Sequence, residues 1–190
     1  MVQIDRKKPV WIEWWNAFSM LPGFYFIYHH LQKEACASLF QRLGVYSYGF
    51  LCLLSLHCHL YRSRCSYSPE ESKRYMQFLR MDLVAQSVVI ALNAYDTPMG
   101  VFGMLWGVAG VALDIYNTSG QRTLSEYMER KDLWIRPIHE GVLICLLTRH
   151  CPTTLCFFVQ SFVCFALSKL WWPLEFLHGV FHLVTHDAMN

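Results

Sequence analysis

PMGVFGMLWGVAGVALDIYN, residues 98–117, carries a single charged side chain, Asp114, in twenty positions. A bilayer core about 30 Å thick needs roughly 20 apolar residues of helix at about 1.5 Å each. The stretch meets that requirement, and its neighbours repeat it. Upstream lie similar segments at approximately 75–95, 41–61 and 12–31, and downstream at 134–149, 152–169 and 171–187. Asp96, Thr97 and Pro98 part the third from the fourth, and Arg149 to Pro152 part the fifth from the sixth. Pro173 opens the seventh, where a missing N–H costs nothing. The expected fold is therefore all-α, a seven-transmembrane helix bundle forming one multi-pass domain over 1–190. The last three stretches are short and tightly spaced, so a count of six is the alternative.

Composition agrees. Apolar residues make up 54% of the chain and charged residues 16%, against about 25% charged in a typical soluble domain. A formal net charge of +2 with no long basic run excludes a nucleic-acid partner. The chain has eight cysteines but no CxxC pair. Cys52, Cys58, Cys145, Cys156 and Cys164 sit inside apolar runs and read as small hydrophobic fillers. Cys65, beside Arg62 and Arg64, is a candidate for acylation. Arg6, Lys7 and Lys8 precede an apolar stretch that holds Glu13 and three tryptophans, which reads as a retained first helix rather than a signal peptide.

With seven spans, the N-terminus and loops 62–74, 119–136 and 6–7 share one side. That side collects twelve cationic residues: Arg6, Lys7, Lys8, Arg62, Arg64, Lys73, Arg74, Arg122, Arg130, Lys131, Arg136 and Lys169. The other side has Lys33, Arg42 and Arg149, and Arg80 lies within a span. The positive-inside rule then puts the N-terminus in the cytosol. It also makes the sequon Asn117-Thr118-Ser119 cytosolic and silent; in the reverse orientation its glycosylation would report the side. In the fourth span, Gly103 and Gly107 form a GxxxG surface that another helix can approach closely.

Ionisable side chains inside spans are expensive and mark function. Ser55 and His59 lie four apart near the end of span two, Asp82 near the start of span three, and His178 and His182 four apart early in span seven. A spacing of four puts two side chains on one helix face, and His57 points away from His59. The parity of the topology brings all five to one side of the membrane, near the cytosolic leaflet. Three neutral imidazoles with one open position are the usual cradle of a catalytic zinc. Bound zinc lowers the pKa of a water to about 7 and polarises a carbonyl. A carboxylate and a hydroxyl beside it can take a proton and steady an oxyanion. Such a site suits hydrolysis of a lipid amide or ester entering from the bilayer. Asp82 has a simpler alternative, pairing with Arg80 or capping a helix. His29, His30, His139 and His150 read as interfacial, and Asp114 and the His139–Glu140 pair as support groups without a role.

The set SLHCH (Ser55 to His59), an acid in the next span and HGVFH (His178 to His182) resembles the CREST superfamily. That group holds alkaline ceramidases, adiponectin/progestin receptors, GPI-remodelling proteins and the post-GPI-attachment/myomaker branch. The resemblance implies a seven-span fold with zinc held by His59, His178 and His182, and with Ser55 and Asp82 as supporting or catalytic groups. Ser19-Met20-Leu21-Pro22, Glu34-Ala35 and Gln77-Phe78 look like the post-GPI-attachment/myomaker branch. Glu13-Trp14-Trp15-Asn16 followed by Ser19 is similar to an E-F-W-N-T-x-S stretch of alkaline ceramidases. The rest of their calcium motif is absent, so no calcium is expected. An inward N-terminus matches the adiponectin-receptor branch, whereas ceramidase-like and myomaker-like members run the other way.

Three functions follow as expectations. The first is a zinc-dependent lipid hydrolase acting on a ceramide-like amide or a phospholipid/GPI ester, in an endomembrane or the plasma membrane. The second is a non-enzymatic remodelling or fusion factor that keeps a structural metal. The third is a receptor, for which the little chain beyond the spans offers scant material.

Overall fold

The computed structural model describes residues 10–32, 38–65, 68–95, 100–119, 138–139, 141–142, 152–170 and 174–189. Every regular element among them is helical. In chain order these are α1 (Val10–Phe18), α2 (Pro22–Gln32), α3 (Leu39–Arg64), α4 (Pro69–Tyr95), α5 (Gly100–Thr118), α6 (Pro152–Leu170) and α7 (Leu177–Met189).

Three of them, rather than seven, are both long and apolar enough to cross a membrane: Arg42–Arg64 of α3, Pro69–Asn93 of α4, and α5. At about 1.5 Å per residue these are roughly 28–40 Å long. Thr153–Lys169 of α6 is apolar but shorter. The thirteen residues of α7 reach only about 20 Å. The expected fifth span, 134–149, falls almost wholly outside the described residues.

The expected first span is broken. Pro22 disfavours helical geometry in the residue before it, and α1 ends at Phe18. The chain passes the break through tight i→i+3 bonds, Met20 N to Ala17 O and Leu21 N to Phe18 O, each 3.1 Å. The Ser19 hydroxyl donates back to the Asn16 carbonyl at 2.7 Å. Pro22 then serves as the first residue of α2, a position that needs no N–H.

Helix α4 begins before its apolar stretch because Ser68-Pro69-Glu70-Glu71 is a capping box. The Ser68 hydroxyl donates to Glu71 Oε2 at 3.2 Å and accepts from the Glu71 N–H at 3.3 Å. Asp82 therefore lies near the middle of this 27-residue helix rather than near its start.

Helix α5 is inside-out by soluble standards. Gly103, Gly107, Gly110, Asp114, Asn117 and Thr118 are buried, while Val101, Phe102, Leu105, Val108, Ile115 and Tyr116 are exposed. Fully burying one large apolar side chain is worth about 1.5–3 kcal/mol, so water would penalise that outer face heavily and lipid would not. This is the pattern of a helix set among others in a bilayer, and the chain associates with membranes. A Cβ on Gly107 would overlap the backbone and Cβ of Ala91; the glycine face is where α5 and α4 meet. Asn117 is 3% exposed within α5, so the native sequon is a poor reporter of orientation in either direction.

Helix α3 packs against α1, α2 and α4; α4 packs on α5, α6 on α7, and α1 and α2 also reach α7. Met20, Phe26, Tyr48, Leu51, Cys52 and Val89 form the core where α2, α3 and α4 converge. Helix α1 thus stands between α3 and α7, and that wedge positions the site.

Candidate metal centre

Each helix brings its own contribution to the gap beside α1. Helix α3 supplies His59, one turn after Ser55. Helix α7 supplies His178 and His182, one turn apart at its start. The His59 ring centroid lies 5.3 Å from that of His178 and 5.7 Å from that of His182, and the latter two are 4.7 Å apart. One nitrogen from each ring lies within 4.8 Å of the others. Around a tetrahedral ion with bonds of 2.0–2.1 Å, ligand nitrogens are about 3.4 Å apart. The three rings need close by no more than about 1.4 Å to reach that separation, well within side-chain adjustment. They are brought together from 119 residues apart in sequence without any shared loop.

The α1 wedge holds both sides in place. The Trp15 indole N–H donates to the Phe176 carbonyl at 2.9 Å, just before α7. A Cβ on Gly179 would clash with Trp15 Nε1, so glycine is what lets α7 lie this close to α1. On the other side, the carboxylate of Glu13, 1% exposed, accepts from His59 Nδ1 at 2.8 Å. Its other oxygen lies 3.2 Å from Arg62 Nε. Arg62 in turn donates to the Tyr75 hydroxyl at 3.4 Å and sits over that ring, 5.5 Å from its centroid.

Two observations fit a metal. Because the carboxylate only accepts, His59 Nδ1 carries the hydrogen and Nε2 keeps its lone pair for a ligand. His182 is 6% exposed, and its Nε2 is buried with no hydrogen-bond partner among the described residues. A buried polar atom left unpaired costs about 1–3 kcal/mol, and a coordinate bond removes that cost.

The remaining expected site residues are placed less centrally. Ser55 is buried, 2% exposed, on the His59 face of α3. Asp82 is also buried and accepts from the Gln86 amide at 3.3 Å. It does not pair with Arg80, whose guanidinium donates to the Thr118 hydroxyl at 2.9 Å and to the Thr118 carbonyl at 2.5 Å, capping α5. Asp114, fully buried, accepts from the Ser87 hydroxyl at 2.8 Å across the α4–α5 seam. His139 stacks on Trp106 at 4.9 Å, away from the three-histidine cluster. His57 is exposed and meets the edge of Phe78 at 4.6 Å, as its spacing from His59 requires. His30 lies on Phe26 and His29 on Tyr25, both within α2.

Glu13 is singled out in the sequence for its likeness to a ceramidase stretch, with no link to the histidines. The sequence shows an acid among tryptophans in an apolar run, but its partner is 46 positions away. Its signal was the cost of a carboxylate at that depth, which demands a buried donor. Comparison of the chain with protein-family models, with curated proteins and with solved structures finds no match.

Proposed function

We propose that this chain is a seven-span, zinc-dependent lipid hydrolase of the CREST type, cleaving a ceramide-like amide or a phospholipid/GPI ester. The observation that carries the reading is the convergence of His59, His178 and His182, with Nε2 of His59 freed by Glu13 and that of His182 buried without a hydrogen-bond partner among the described residues. When bound, zinc would supply Lewis-acid polarisation of the scissile carbonyl and an acidified water.

The chain's own groups do the rest. The three imidazoles would hold the ion, a donor set that suits a catalytic zinc. The Ser55 hydroxyl, one turn from His59, would be the donor to an oxyanion, and the Asp82 carboxylate the proton acceptor. In this reading α1 and α2 together make the first pass. The carbonyls freed at their break are tolerated because they are satisfied by protein rather than exposed to lipid. The N-terminus lies on the cytosolic side by the charge bias.

A second reading rests on the same geometry. The three ligands bridge α3 and α7, so a metal would staple the bundle whether or not it catalyses, as in a fusion or remodelling factor. Ser55→Ala and Asp82→Asn separate the two. The hydrolase should keep about one zinc per chain and lose hydrolysis of a ceramide or acyl-ester panel by about 10²–10⁴-fold. Zinc retained with no hydrolysis by the parent, in bilayers of defined composition, would leave the staple. A parent purified without chelators and free of zinc would defeat both.

A further inference from the structure

We propose that Glu13 is a positioning residue of the metal centre: with Arg62 as its fixed counter-charge, it holds the His59 imidazole so that Nε2 faces the two α7 histidines. The inference rests on the metal reading above.

The geometry is specific. Glu13 lies on α1 and His59 and Arg62 on α3, less than one turn apart. One carboxylate oxygen takes the imidazole N–H at 2.8 Å and the other meets the guanidinium at 3.2 Å. The carboxylate is thus shared between a ligand and a cation rather than used up in either. A carboxylate removed from water costs several kcal/mol unless paired, and the cost is greater at membrane depth. An ion pair alone would need only Arg62. The extra bond to His59 fixes the ring's tautomer and rotation and makes its free nitrogen a stronger donor, the usual office of a carboxylate behind a metal-bound histidine. Arg62 is itself held by Tyr75, so the support runs from α4 through α3 to α1 and back to the ligand. The cation that balances this carboxylate is built into the chain.

The test measures zinc affinity by chelator competition on the full-length chain in detergent, with the visible spectrum of the cobalt(II)-loaded protein as a report on ligand geometry. Glu13→Gln should weaken zinc binding by about 10-fold and Glu13→Ala by up to about 100-fold. Both should alter the cobalt spectrum, and Glu13→Asp should recover part of the loss. Ile12→Ala, a buried neighbour on α1, should lower the thermal midpoint and leave affinity and spectrum unchanged. Should Glu13→Ala not fold, the isosteric Glu13→Gln carries the test. Zinc bound by Glu13→Gln within twofold of the parent, or a loss matched by Ile12→Ala, overturns the positioning role alone. A parent that binds no zinc overturns it together with the metal reading.

Discussion

His182 and His186 lie one turn apart on the same face of α7, and the protein uses them differently. His186 has both ring nitrogens engaged: Nδ1 meets the Tyr48 hydroxyl, and Nε2 lies 3.0 Å from the Ser19 carbonyl. A carbonyl only accepts, so Nε2 carries the hydrogen and Nδ1 accepts from the tyrosine. The ring bridges the α1–α2 break to α3 and satisfies a carbonyl that the broken helix leaves free. His182, a turn earlier, faces two other imidazoles and has a nitrogen with no protein partner among the described residues. The two histidines differ in which ring nitrogens the protein engages, not in depth or burial. Both residues are buried.

The sharpest way to break this comparison is metal content. His178→Ala/His182→Ala should take zinc from about one per chain to background, while His186→Ala should retain it, both by elemental analysis. Loss in His186→Ala as well would mean that the two histidines belong to one site. Chelation offers the next largest effect. An ion that binds only the folded chain stabilises it by about 4 kcal/mol when present at a thousand times its Kd. Stripping the metal should therefore lower the thermal midpoint of the parent and of His186→Ala by several degrees. The double histidine variant should not respond.

Much of this centre is legible in the chain. The two i,i+4 pairs single out His59, His178 and His182, which the structure brings together, because helix faces follow a local rule. Parity of the spans rests on all seven, of which three are long and apolar enough to cross among the described residues. What escapes is what depends on contacts between distant segments or on backbone geometry that hydropathy does not see. Glu13 looks like an oddity in a tryptophan-rich run until α1 is laid against α3. The break at residues 19–21 is signalled by Pro22, yet an apolar count runs straight through it. The start of α4 is written in Ser68 and Glu71, outside the apolar window, and that shift moves Asp82 from near the start of its helix to the middle. Neither Ser55 nor Asp82 gains a role from burial alone.

Stability sharpens the comparison further. His186→Ala removes two hydrogen bonds: the Ser19 carbonyl loses its donor, and the Tyr48 hydroxyl is left with only the neighbouring Cys52 thiol. At about 1–3 kcal/mol for the orphaned carbonyl and about 1 kcal/mol for the second lost bond, the expected loss is about 2–4 kcal/mol, read as a fall in thermal midpoint of the chelated protein. Working on the stripped protein keeps the metal contribution out of the number. A fall that appears only in the presence of zinc would assign His186 to the metal centre instead.

The smallest effect is the most discriminating. Tyr48→Phe keeps the ring, which meets Phe26 edge-on at 5.5 Å and belongs to the α2–α3–α4 core, and removes only the oxygen. His186 then loses one of its two partners and retains Ser19. The expected loss is about 1–2 kcal/mol, smaller than for His186→Ala, with zinc affinity unchanged. Combined in a double-mutant cycle, the two substitutions should couple by about 1 kcal/mol, since neither can lose a bond the other has already removed. Equal losses for the single variants would show that the bond to Ser19 contributes nothing and that the break needs no support from α7. No coupling would show that the tyrosine and the histidine act separately, and His186 would lose its distinction from His182.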